Sequence, residues 1–179
     1  LLRSRTDAKG NPFAPNQMFA DLASLMGHNA PFATDYYAFL PLETDCVPTR
    51  KGWIDELIEA WKKVESNGVG AMGFIHDNPV RHLNGMAVFS FDIICRERNL
   101  NGASPQVAWD VWHAELVLKH AAETNLIFFS YRKPTITPEE LFGKQGDEPA
   151  PCLYHGVKDD SARAAVRAER KTTRRNSRN

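Results

Sequence analysis

The chain has 179 residues, 42% of them hydrophobic and 25% charged, which is the length and balance of one soluble globular domain with a real core. No run approaches the roughly 18 apolar residues of a membrane span, and three widely spaced cysteines, Cys46, Cys95 and Cys152, argue against a disulfide framework and for a reducing cytoplasm. The formal net charge of zero hides an asymmetry: residues 163–179 hold seven basic side chains and one acid, net +6, against net −6 on the other 162 residues. A basic tail on an acidic body points to a polyanionic partner or to attraction between tail and body, although a solvated terminus has the same composition.

In chain order, residues 1–16 are polar and punctuated by Gly10, Pro12 and Pro15, as in a loop. Asn16 as a cap, apolar spacings of three and four, and Gly27 as a stop predict a short helix over 16–27. "DYYAFLPL" predicts a buried strand, and Pro48 to Gly52 a turn. In "WIDELIEAWKKVES", Trp53, Ile54, Leu57, Ile58, Trp61 and Val64 share one face of an amphipathic helix. "GAMGFI" predicts a strand, and "HLNGMAVFSFDII" a turn entering a strand and a short helix. "QVAWDVWHAELVLKHAAE" predicts a second amphipathic helix and "NLIFFSYR" another strand. Residues 133–151 are proline-rich and predict a loop, and "CLYHGVKDDSARAAVRAERK" predicts a turn and a charged helix. The alternation of strands and helices predicts an α/β layered domain, with ligands at the carboxyl ends of its strands.

The chemistry begins at "FLPLETDCVPTRKGW", residues 39–53. Side chains alternate along a strand, so Glu43 and Asp45 at a strand end would present two carboxylates on one side, and like charges so placed repel unless a cation sits between them. Hard divalent ions such as Mg²⁺ and Mn²⁺ take carboxylate oxygens together with substrate phosphate oxygens. The competing reading is an acid capping the helix that starts near Trp53, but Asp45 lies too far upstream for that. Cys152 and His155 have a ligand-like spacing, yet no CxxC pair completes a zinc site.

The order of a strand, "ETDCVP", "GW" with its amphipathic helix, "HLNGMAVFS", "WDVWHAELVLKHA" and "LYHGVKD" resembles the metal-binding and acceptor half of a GT-A fold glycosyltransferase, in particular small bacteriophage glycosyltransferase-like proteins. The resemblance runs over about residues 34–160 and rests on the order of the motifs. It implies a GT-A-like, Rossmann-like mixed sheet flanked by helices over residues 1–162, followed by a basic tail over 163–179. It also implies transfer of a sugar from a nucleotide-sugar donor to a hydroxyl acceptor, with Mn²⁺ or Mg²⁺ bridging the donor's two phosphates. Glu43-Thr44-Asp45 stands where that family has a DxD-type motif, Asp45 matching its second acid and Glu43 departing from its first.

The same resemblance assigns the remaining candidates. His155 would complete the metal shell, and Lys158 would neutralise the departing diphosphate. Taken alone, a histidine before a glycine is an ordinary turn residue and Lys158 an exposed lysine. Asn84 and Gly85 would line the donor-sugar and acceptor pocket, the glycine admitting a sugar close to the backbone. Their alternative is an Asn-Gly hairpin turn. Asp110 or Glu115 would take the acceptor's proton, while Asp110 also reads as a helix cap and Glu115 as an i,i+4 partner of Lys119. Trp109 and Trp112 would stack on a sugar or base, or belong to a core.

Leu1 in place of Met, and only 44 residues ahead of Asp45, imply that the nucleotide-binding half of such a domain is missing or reduced. The bacteriophage likeness and the arginine-rich end suggest DNA carrying a hydroxymethylated base as acceptor, reached by base flipping. The alternative from another class is a non-catalytic nucleic-acid-binding or assembly protein working through the tail.

Overall fold

The structure is a computed structural model of the chain, and it describes residues 16–22, 37–96, 106–130, 136–142, 150–157 and 160–176. The protein is mixed α/β, with mixed sheets and helices. Its contacts divide it into two units, Leu1–Pro41 with Val64–Glu123, and Leu42–Lys63 with Thr124–Asn179.

The first unit is built on a four-stranded sheet of β1 (Ala38–Phe39), β3 (Ala71–Gly73), β6 (Val88–Ser90) and β7 (Ala121–Glu123), in the order β1-β6-β3-β7. β6 runs antiparallel to both β1 and β3, whereas β3 and β7 are parallel. β4 (Ile75–His76) and β5 (His82–Leu83) form a separate antiparallel pair. Phe19, Phe89, Phe91 and Trp109 fill the core, with Phe19 stacked on Trp109 at 4.3 Å and 9°. Burial of these rings is the main favourable term in the unit.

Two expectations for this unit need correction. Among the described residues the strand expected over "DYYAFLPL" pairs only at Ala38 and Phe39, and Pro41 has no N–H to continue a ladder. The single helix expected over residues 106–123 is instead two short ones, Trp109–Trp112 and Ala114–Leu118, followed by β7. His113 leaves the helical region at φ −99° and ψ 13°, and the carbonyl of His120 takes the N–H groups of Gly70 and Ala71 at 2.8 and 3.0 Å. Sheet pairing with β3 thus overrides the helix propensity of "HAAE". Of the helix expected over 16–27, residues 16–22 are helical and the rest lie outside the described residues.

In the second unit β2 (Val47–Pro48), β9 (Leu153–His155) and β8 (Ile127–Phe129) lie in the order β2-β9-β8. β9 is antiparallel to β2 and parallel to β8. Val47, Ile136, Leu141, Tyr154, Val157, Ala162 and Val166 form its core. The turn expected around "CLYHG" is therefore the central strand: Leu126 O accepts the N–H groups of Cys152 and Leu153, and Cys152, Leu153 and Tyr154 are all buried. The loop expected over 133–151 contains a helix, Pro138–Phe142, which opens on proline and buries Leu141.

The amphipathic helix is present as Trp53–Glu65. It buries Leu57 and Trp61, while Ile54 and Ile58 on the edge of the apolar face are exposed. Arg50 fixes its start: Nε and an Nη grip the two oxygens of Glu56 at 2.7 and 2.6 Å, and the other Nη donates to Ala150 O at 2.8 Å. Among the described residues no helix is long and apolar enough to cross a membrane.

Candidate metal centre

Strand pairing brings the two acids to the histidine. Val47 lies opposite Tyr154, so the antiparallel register carried outward sets the residues before Val47 against those after Tyr154. Beyond the ladder the chain turns at Thr44 and Asp45, with Cys46 N–H donating to Glu43 O at 3.2 Å. Val157 N–H donates to Asp45 O at 3.2 Å, and Arg163 donates to Thr44 O at 2.6 Å. The carbonyls of Thr44 and Asp45 are therefore both held.

His155 is held as firmly. Its carbonyl accepts from both the N–H and the hydroxyl of Ser130, at 2.9 and 3.0 Å. Its ring lies 4.9 Å from that of Phe129, its parallel-strand partner. The next residue has to be glycine: Gly156 adopts φ +83°, and a Cβ there would stand 2.9 Å from the Phe129 ring.

The side chains converge as a result. His155 Nε2 lies 3.5 Å from Glu43 Oε2 and 3.6 Å from Asp45 Oδ1, and one ligand atom from each residue falls within 4.8 Å of the others. Burial is graded, with side-chain exposures of 8% for His155, 17% for Asp45 and 35% for Glu43, so the cluster opens to solvent on the Glu43 side.

The two spacings to His155 are close to those of donors on a shared ion. At 3.5 and 3.6 Å the pairs are too long for direct N–H···O bonds. Two donors each about 2.1 Å from one ion stand about 3.0 Å apart at a right angle and about 3.4 Å apart at the tetrahedral angle. Two carboxylate oxygens and an imidazole nitrogen form the donor set that suits Mn²⁺, Zn²⁺ and related divalent ions.

Asn84, Gly85 and Asp110 meet in the first unit. Asp110 Oδ2 accepts from Gly85 N–H at 2.9 Å, and Oδ1 from Val111 N–H at 3.0 Å. Asn84 Oδ1 accepts from Met86 N–H at 3.1 Å. This is not the hairpin turn that Asn-Gly also allows, because β5 pairs with β4, and β6 with β1 and β3. A Cβ on Gly85 would stand 3.3 Å from Phe19 and 3.5 Å from Asp110 Oδ2, so the close approach requires glycine or a shift of its neighbours. His82, buried behind Asp110, donates from Nδ1 to Val80 O at 2.7 Å and turns Nε2 towards Asp110 Oδ2 at 3.8 Å.

The other candidates are placed more simply. Glu115 is 91% exposed and pairs with Lys119 at 3.2 Å, as its i,i+4 spacing allows. Trp109 is a core residue, whereas Trp112 is 55% exposed. Lys158 lies outside the described residues. Cys152 does not share His155's cluster: its thiol faces Leu126 O at 3.3 Å, and burial pushes it up to about 11. Sequence reasoning missed the support from Arg163, Phe129 and Ser130, and it missed His82. Phe129 and Ser130 lay in a segment read only as a strand and Arg163 in one read as a charged helix, whereas His82 lay inside "HLNG".

No family model, characterised protein or solved structure matches the chain.

Proposed function

We propose that the protein is a metal-dependent glycosyltransferase that moves a sugar from a nucleoside-diphosphate donor to a hydroxyl acceptor. The observation that carries this reading is the convergence of Glu43, Asp45 and His155 on one partly open point, in the order the motif resemblance requires. Asp45 and His155, the more buried pair, would hold a divalent ion, and Glu43 on the open side would complete the protein's share of its shell. Such an ion, when bound, supplies positive charge against the negative charge that develops on a departing diphosphate.

The chain's own part is preorganisation. Arg163 and Val157 hold the two carbonyls of the acidic turn, and Ser130 and Phe129 hold His155, so the donors need little rearrangement on binding. The resemblance assigns the acceptor's proton to Asp110 or Glu115; each oxygen of Asp110 accepts one backbone N–H, which leaves a lone pair on each for a proton.

A thermal-shift scan of nucleotide-sugars and nucleoside diphosphates with and without Mn²⁺ tests the proposal. One nucleoside diphosphate family should raise the melting temperature only when Mn²⁺ is present, and Asp45→Asn should abolish the shift. Stabilisation that survives this substitution unchanged refutes the reading. A second reading, non-catalytic nucleic-acid binding, is favoured by the exposed basic residues Arg167, Arg170 and Lys171 of the last helix. Duplex binding by a chain that neither transfers nor hydrolyses any nucleotide-sugar would favour it.

A further inference from the structure

The helix Ser161–Asn176 changes character along its length. Its first turns belong to the core of the second unit, with Ala162 and Val166 buried and Arg163 committed to Asp160 and Thr44 O. From Arg167 to Lys171 every residue is exposed. Short helices in water normally owe their stability to a packed apolar face. This stretch has none, and it places Arg167, Arg170 and Lys171 at spacings of three and four, where like charges repel. None of these three cations makes an ion pair among the described residues. Arg174 and Arg175 follow one turn on, and Glu169 is the segment's single acid.

We infer that residues 167–176 are a helical arm that docks on the phosphate backbone of duplex DNA. From Arg167 to Arg175 the helix rises about 12 Å, a length of duplex axis that carries about seven phosphate charges. Five cations over that length complement the polyanion, and binding would relieve their mutual repulsion. The composition selects among polyanions. Binding of single strands relies on aromatic platforms, and residues 160–179 contain no aromatic residue. Surface binding to anionic membranes needs an exposed face of large apolar side chains, whereas Val166, the segment's one large apolar residue, is buried.

The inference does not rest on the metal reading, because its test is run in EDTA. Fluorescence anisotropy of a labelled 20-base-pair duplex would be followed as the full chain is titrated from 25 to 200 mM KCl. The affinity should fall with salt with a log–log slope of about −3 to −4.5, close to 0.9 per phosphate contacted. The triple variant Arg167→Glu, Arg170→Glu, Lys171→Glu should bind at least tenfold more weakly and with a slope shallower by about 2.7. All three sites are exposed, so circular dichroism should show the same melting transition for both proteins. Absence of duplex binding at 50 mM KCl, equal binding by the variant, or tighter binding to a single strand or to phosphatidylserine vesicles would overturn it.

Discussion

Replacing Asp45 by asparagine distinguishes an ion site from an ordinary ion pair, because the two give opposite signs in the metal-free protein. Screened as in bulk water, a divalent ion about 2.1 Å from a carboxylate oxygen is attracted by about 4 kcal/mol. The amide carbonyl retains part of that as a dipole, so about 2–3 kcal/mol is lost and Mn²⁺ should bind about 30- to 150-fold more weakly. Without metal, oxygens of Glu43 and Asp45 lie within 4.8 Å of each other, and even at water-like screening two unit charges at that distance repel by about 1 kcal/mol. In EDTA the variant should therefore be as stable as the parent or up to about 1 kcal/mol more stable. If Asp45 served only as counter-ion to His155, the same substitution would destabilise the metal-free protein. Free Mn²⁺ measured by electron paramagnetic resonance, together with urea unfolding in EDTA and in Mn²⁺, reads both quantities. Mn²⁺ affinity within twofold of the parent, or a clear loss of stability in EDTA, would refute the reasoning.

Gly156→Ala should lose at least about 2 kcal/mol in urea unfolding, about 1–2 of it from the left-handed backbone alone and the rest from contact with Phe129; wild-type stability would show that the turn is not built as described. Arg163→Ala should weaken Mn²⁺ binding by up to about tenfold through the freed Thr44 carbonyl, with partial recovery in Arg163→Lys, whereas an unchanged titration would remove Arg163 from the site. The hydrogen bond from Arg50, opposed by burial and reinforced by the guanidinium charge, holds the Glu56 carboxyl below its ordinary value of 4.5. A carboxyl lowered by folding stabilises at neutral pH and loses that contribution as the pH falls through its folded value. Glu56→Gln should accordingly cost about 1 kcal/mol at pH 7, with the difference from wild type closing below about pH 4; a gap that persists in acid would contradict this.

Some of the architecture was legible because local pattern and final environment agree. The helix Trp53–Glu65 keeps its period, and burial falls on Leu57 and Trp61 from the predicted face. The α/β alternation survives although several strands are two or three residues long, since core rings such as Phe89 and Phe91 lie on the runs that read as apolar. Pairing was harder to read. Nothing in "CLYH" distinguishes a turn from a strand until Leu126 and Val47 supply its neighbours from 26 and 107 residues away, counted from Cys152 back to Leu126 and from Tyr154 back to Val47. The strand Ala121–Glu123 was hidden in the same way by an alanine pair that favours helix locally.

At the acids themselves the sequence pointed to side chains that the structure brings together, but not to the geometry that does so. Two residues along a strand span about 6.6–6.8 Å, which leaves carboxylates on one side but spread along the chain. Here the backbone turns at Thr44 and Asp45, and ligand atoms of Glu43, Asp45 and His155 gather within 4.8 Å. The intervening threonine matters through its backbone, since its carbonyl receives Arg163 while the carbonyl of Asp45 receives Val157 N–H. A Glu-x-Asp segment without those two donors has the same carboxylates and no reason to bend towards a histidine. Val157 and Arg163 therefore hold the turn that presents the two carboxylates, and His155 faces them.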